Sequence, residues 1–252
     1  MARGGTGAMK TILITAPVRQ DADIFAEYLK AIDALIVPEG YEIKTFFVIN
    51  NCPEVIPLMR DTDQWTVFDT ETEYQKTHND HIWTMDNMEM MGKLRNLTII
   101  HALETGADYW LSIDSDVIVH PETLIWLLKA KKPIVSEIFW TKAPSGKQWC
   151  NAWIEDQCSG MPEEWKTPGL YRCGMTGACT LVSCDVFNAG VTYARIPNIR
   201  HALRGEDRHF CIRAACAGYQ CWIDSHVPAR HLYTRGLFND YIAGKKGNAD
   251  VF

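Results

Sequence analysis

The chain has 252 residues, 47% of them hydrophobic and 22% charged, with a net charge of −6 and an isoelectric point near 5.7. That length suits one α/β domain with a modest insertion, and that hydrophobic share can fill a core. An acidic balance without a basic stripe argues against nucleic acid as a main partner, and no apolar run approaches the ~18 residues that span a bilayer.

Residues 1–9 are small and Gly-rich with no apolar signal core, and read as an appended or disordered leader with Met9 as the native start. The nine cysteines include no C-x-x-C pair, and Cys211, Cys216 and Cys221 recur every five residues, a spacing that does not line one helix face. An odd number without an export signal predicts reduced thiols and a cytoplasmic setting, and the missing spacing speaks against zinc.

Residues 10–17 form a β-type run stopped by Pro17, followed by the loop Val18-Arg19-Gln20-Asp21. Ile24, Phe25, Tyr28, Leu29, Ile32 and Leu35 recur at helical spacing and predict a helix over residues 21–35. Residues 41–49 read as a second strand ending in Asn50-Asn51, and residues 66–69 as a short third strand. Residues 70–91 are polar and Met-rich without a clean period, and predict a loop with a helical turn; residues 71–86 are expected to form a lid over a bound donor.

Leu94, Leu97, Ile100 and Leu103 give residues 92–104 one apolar face, with Gly106 as the C-cap. Residues 109–119 are an apolar strand interrupted by Asp114-Ser115-Asp116, and Pro121 starts a helix to residue 130. A strand over residues 133–139 precedes an irregular excursion, residues 140–172, whose Trp140, Trp153 and Trp165 could either stack on an acceptor or pack the excursion onto the sheet. A strand over residues 175–183, a helix over 205–217 closed by Gly218, a short strand over 221–223 and a polar tail complete the chain, with no internal repeat.

Strands alternating with helices imply an α/β fold with a mostly parallel sheet and helices on both faces. Ligands bind such sheets at the carboxyl ends of the strands. Pro17 and Arg19, Asn50-Asn51 and Asp114-Ser115-Asp116 all fall there.

Two carboxylates at a strand end are costly without a counter-charge. Alternate strand residues share a face, so Asp114 and Asp116 could hold Mg²⁺ or Mn²⁺ against a nucleotide diphosphate; they could also cap the following helix. Lys93 and Arg95 at the start of a helix could meet phosphate, or form a solvated face. Glu206 and Asp207 could supply a general base, or merely favour the first turn of their helix. His231, just beyond the last strand, could fold back to a metal as a neutral imidazole.

Taken in order, these pieces resemble a nucleotide-sugar glycosyltransferase of the GT-A fold, close to the inverting glycosyltransferase family 2. The resemblance rests on the strand ending at Pro17, on Lys93, Arg95 and Asn96, on Asp114-Ser115-Asp116, on Thr176-Gly177-Ala178, on Gly205-Glu206-Asp207 and on His231, and covers residues 10–234. It implies a single domain over residues 10–243, with a nucleotide-sugar half (10–120), an acceptor and catalytic half (121–243) and a flexible tail (244–252).

The resemblance also implies roles. Asp116 and His231, supported by Asp114, would hold Mn²⁺ or Mg²⁺. Ala16, Pro17, Arg19, Asn50, Lys93, Arg95, Asp114, Ser115 and Gly177 would contact the nucleotide sugar, and Asp207 would be the base with Glu206 beside it. The expected partners are a nucleoside-diphosphate sugar, a UDP-sugar first among them, and a glycan or other hydroxyl acceptor. A nucleotidyltransferase making sugar nucleotides, or a non-catalytic binding module, is the alternative. Ala16-Pro17-Val18-Arg19 and Asn50-Asn51 depart from the family's usual loop endings.

Overall fold

The computed structural model describes residues 8–71, 76–77, 80–81, 83–142, 148–154, 162–200 and 203–244. The elements in chain order are β1 (Lys10–Val18), α1 (Ala22–Asp33), β2 (Tyr41–Ile49), β3 (Gln64–Val67), β4 (Lys76–Thr77), β5 (Asp80–His81), α2 (Met85–Glu104), β6 (Tyr109–Ile113), β7 (Val117–Ile118) and α3 (Thr123–Lys129). They continue with β8 (Ile134–Lys142), β9 (Gln148–Cys150), β10 (Ala152–Trp153), β11 (Leu170–Cys173), β12 (Met175–Thr176), β13 (Cys179–Ser183), α4 (Cys184–Asn188), α5 (Glu206–Cys216), β14 (Cys221–His231) and α6 (Arg235–Ile242).

The main sheet runs β11-β14-β8-β13-β6-β1-β2-β3. β1 pairs in parallel with β2 and β6, β2 with β3, and β8 with β14. β13 lies antiparallel between β6 and β8, and β11 is antiparallel to β14. The result is the expected α/β fold with a mixed sheet, parallel throughout the β6-β1-β2-β3 half.

β1 shows why its apolar run is continuous. Ile12, Ile14, Ala16 and Val18 join the core cluster that holds α1 and α3, while Leu13 joins the one that holds α2, α4 and α5. Covered on both faces, the strand has no solvent side to mark with polar residues.

Several boundaries differ from the sequence reading. α2 starts at Met85, seven residues before Gly92, with the Thr84 hydroxyl accepting from the Asn87 N–H at 3.1 Å. β6 stops at Ile113, so Asp114-Ser115-Asp116 is a turn and not a strand end; the Val117 N–H closes it on the Asp114 carbonyl at 2.9 Å.

These acids do not cap α3. Its N-cap is Glu122, without a side-chain cap bond. The strand expected over residues 175–183 breaks into β12 and β13 around Gly177 and Ala178, the latter at φ 68°. β14 is far longer than residues 221–223 and carries Pro228 through an irregularity between Asp224 and Ala229. The excursion over 140–172 supplies the end of β8, then β9, β10 and β11.

The expected leader falls almost wholly, and the tail almost wholly, outside the described residues, as does Cys158; the stretch read as a lid does so in part. No disulfide joins the described cysteines. Among the described residues, no helix is long and apolar enough to cross a membrane.

Candidate functional site

Two cavities meet at the acidic turn. The first, with about 710 Å³ of open space, lies over the ends of β1 and β2 and is lined by Pro17, Arg19 and Asn50, by Met90, Met91 and Leu94 of α2, and by Asp114, Ser115 and Asp116. The second, with about 1000 Å³ of open space, is lined by Asp114, Asp116, His231, Glu206 and Asp207 and by Trp149, Trp153 and Tyr233. Trp83 belongs to both, as do Asp114 and Asp116. The mix of apolar walls with a few convergent polar groups is typical of ligand sites.

Arg95 organises the acids between α2, β6 and α5. It is 2% exposed. Its Nη2 lies 2.8 Å from Asp114 Oδ1, its Nη1 donates to the Ser112 hydroxyl at 2.8 Å, and its Nε stands 3.9 Å from Asp207 Oδ1 and 4.0 Å from Glu206 Oε1.

One guanidinium thus faces three carboxyl groups. Burial pushes Asp114 up to about 6 in spite of Arg95. Burial raises Glu206, with the Asp207 charge adding to it, and burial raises Asp207 against the pull of Arg95. Carboxyl groups this close cannot all ionise easily, so the cluster holds a proton into the neutral range.

On the other side of the turn, His231 Nε2 lies 3.4 Å from Asp116 Oδ2. The geometry comes from β14 pairing with β7, Val117 opposite His231, and from the Leu232 N–H on the Asp116 carbonyl at 2.7 Å. The Thr141 hydroxyl sits 2.8 Å from His231 Nδ1 and fixes the ring.

A carboxylate and an imidazole converging with the ring's far nitrogen already engaged fit a divalent cation of the Mn²⁺ or Mg²⁺ kind. Among the described residues no group of three or more His, Cys, Asp or Glu side chains converges on one point, so substrate oxygens and water would complete the shell.

Not every expected residue reaches the site. Ala16 is fully buried in the core and lines neither cavity. Lys93 is exposed, pairs with Glu89 at 3.6 Å, and lines neither cavity. The earlier start of α2 puts Lys93 and Arg95 well past the helix N-terminus, so neither meets phosphate there.

Arg95 lines the second cavity and not the first. Gly177 serves as a seat: a Cβ built there would overlap all three terminal atoms of the Asp207 side chain. Gly205, the N-cap of α5, adopts φ 118°, a backbone setting suited to glycine.

Other side chains at the site escaped the sequence reading. Trp83, Trp149 and Tyr233 line the second cavity, whereas Trp140 and Trp165 are core residues at 3% and 2% exposure; of Trp140, Trp153 and Trp165 only Trp153 faces it. Thr141, Asn151 and Ser112 carried no motif signal, and only their contacts reveal them.

Residues 10–158 match the family described as "Glycosyltransferase family 25, N-terminal domain". Procollagen galactosyltransferase 1 of Danio rerio is 23% identical over 150 residues, and procollagen galactosyltransferase 1-A of Xenopus laevis 25% over 151. These alignments cover 55% and 56% of this chain, and the chain spans about a quarter (25%) of the length of each relative.

Among solved structures, S. aureus TarS 1-349 in complex with UDP-GlcNAc superposes with a TM-score of 0.54 at 14% identity, covering 88% of this chain and 57% of that one. TarS 1-349 without that ligand in its description gives 0.52 at 15% identity, covering 88% and 59%. These likenesses show the fold. The motif series pointed to GT-A glycosyltransferases and to family 2 among them; the match bears out the former and carries the description of family 25. With more than half of its length matched, over residues 10–158, the chain belongs to the glycosyltransferases of that family.

Proposed function

We propose that the chain transfers a sugar from a nucleoside-diphosphate sugar, a UDP-sugar in class, to an acceptor hydroxyl with inversion at the anomeric carbon. The observation that carries this reading is the shared wall of the two cavities. Asp114 and Asp116 line both, and Asp207 lines the second. A donor whose nucleoside lies in the first cavity would bring its diphosphate to the acidic turn and its sugar toward Asp207. TarS, whose described complex is with UDP-GlcNAc, and the two galactosyltransferases support a UDP-hexose as donor.

The residues divide the chemistry. Pro17, Arg19, Asn50 and Ser115 hold the nucleoside. Asp116 and His231 would hold a Mn²⁺ or Mg²⁺ ion, which would supply positive charge against the leaving diphosphate. Asp207 takes the proton of the acceptor hydroxyl as its oxygen bonds to the anomeric carbon and the bond to the diphosphate breaks on the opposite side. Partial burial of Asp207, whose side chain is 25% exposed, raises its pKa and suits it to that proton. Glu206, the more strongly buried acid, steadies the acceptor or the base. Arg95 orients the acids, and Trp149, Trp153 and Tyr233 offer aromatic faces to the acceptor.

The test is release of UDP from a panel of UDP-sugars with Mn²⁺, followed by the product's anomeric NMR signal. Asp207→Asn is expected to cut transfer by about 10²-fold or more while UDP still binds. Undiminished transfer by that variant removes Asp207 from the role of base; a retained anomeric configuration removes inversion.

A further inference from the structure

The Asp207 carboxyl group is held by packing more than by hydrogen bonds. Its Oδ1 is buried and makes no hydrogen bond among the described residues, and the nearest Arg95 nitrogen recorded is 3.9 Å away. What fills its other side is Gly177, whose absent Cβ leaves the space the carboxyl group occupies. The place of the carboxylate therefore depends on the place of the Gly177 backbone.

Asn151 grips that backbone at both ends of the residue. The Gly177 N–H donates to the Asn151 carbonyl at 3.3 Å, and Asn151 Nδ2 donates to the Gly177 carbonyl at 2.9 Å. The same side chain is anchored in β8, where Nδ2 donates to the Glu137 carbonyl at 2.9 Å and Oδ1 accepts from the Phe139 N–H at 3.0 Å.

Only a primary amide offers one acceptor to an N–H and two donors to two carbonyls. Sheet pairing does not do this work. The ladder of β10 with β12 ends at Thr176, and the Gly177 carbonyl is otherwise met by the Cys179 N–H two residues on.

We propose that Asn151 is a positioning residue for the transfer reaction. By tying Gly177 to β8 it sets how far the Asp207 carboxylate reaches toward the acceptor hydroxyl. The inference rests on Asp207 being the base. A misplacement of about 1 Å at a reacting group costs roughly 10²-fold in rate, so a modest shift of Gly177 should be readable in turnover.

The experiment measures transfer kinetics and Mn²⁺-dependent UDP calorimetry on the full chain carrying Asn151→Ser, Gly177→Ala, Asp207→Asn, and Asn151→Ser with Asp207→Asn. Calorimetric stoichiometry gives the folded fraction, so kcat is expressed per binding site. Asn151→Ser is expected to lower kcat by about 10- to 100-fold with the UDP Kd within about threefold of wild type. Gly177→Ala, which displaces the same carboxyl group without touching Asn151, should show the same split.

In the Asp207→Asn background the Asn151 change should cost nothing further, because it acts only through the base. Normal kcat in Asn151→Ser beside an inactive Asp207→Asn overturns the positioning role alone, as does a full additional loss in the double variant. Transfer surviving in Asp207→Asn overturns the base assignment and this inference with it.

Discussion

Arg95 and Asp114 form a 2.8 Å ion pair at the back of the site, tying the middle of α2 to the end of β6. The pair also carries Glu206 and Asp207, which stand within 4.0 Å of the same guanidinium. Arg95→Met would leave three clustered carboxyl groups without their cation. Removing one partner of a buried pair costs about 3–5 kcal/mol, and here the partly exposed Asp114 places the loss toward the lower figure. Chemical denaturation should show a smaller loss at pH 5 than at pH 8, since protonated acids no longer need the charge. An equal loss at both pH values would mean that Arg95 acts through packing alone.

The Asp116–His231 pair makes a prediction about metal dependence. His231→Ala should weaken Mn²⁺-dependent UDP binding by about tenfold or more, and Thr141→Val, which frees the ring, by about tenfold, both read by calorimetry. Chelation of the metal with EDTA should reduce wild-type binding to the level of Asp116→Ala. Binding that ignores EDTA would take the ion out of the donor seat.

Glu206 sets a pH dependence of stability. Its pKa in the fold is raised above the ordinary 4.5 by burial and by Asp207, so the folded chain keeps a proton that the unfolded chain loses. The associated stability is complete below the unfolded value and declines as pH rises through the folded one. Glu206→Gln removes the titration. Its melting temperature should therefore rise relative to wild type as pH increases from 4 to 9, with no relative gain at the acid end. A difference that stays flat over that interval would show that the acid is not strained.

Trp149 gives a prediction for the acceptor side. It is 37% exposed, faces the second cavity and meets Tyr233 edge-on at 6.4 Å. Trp149→Ala should raise the acceptor KM by about 3- to 10-fold, the worth of one aromatic contact, and leave the UDP Kd unchanged. Two-substrate kinetics separates the two. A change confined to the donor would place Trp149 with the nucleotide.

Much of the fold could be read in the sequence because β1, β2 and β6 are buried and apolar, and because α1 carries a clean helical period. The acidic turn was legible for a chemical reason, since two acids beside an apolar strand demand a counter-charge. α2 was misjudged at its start because the face it buries includes Asn87, Gly92, Arg95 and Thr98, which blurs the period that reveals a helix. The meaning of Arg95 was hidden likewise. Its partners come from residues 112, 114, 206 and 207, and no local spacing announces them. β14 was cut short by Asp224, Ser225, His226 and Pro228, polar or ring-constrained residues that a bulge accommodates.

The pairing of β7 with β14 has a consequence for how much of the chain the site requires. The strand that brings His231 to Asp116 is the last one of the sheet in chain order, and it closes the longest excursion of the fold. So non-local a contact carries a loop-closure cost that neighbouring strands escape. The first cavity is lined by the first half of the chain alone, whereas the second needs the far end of the chain as well. The stretch that carries the family match, residues 10–158, holds Asp114 and Asp116 without His231, Glu206 or Asp207. On the proposed reading, the groups that would hold the donor and those that would drive the reaction are thus written in different parts of the polypeptide.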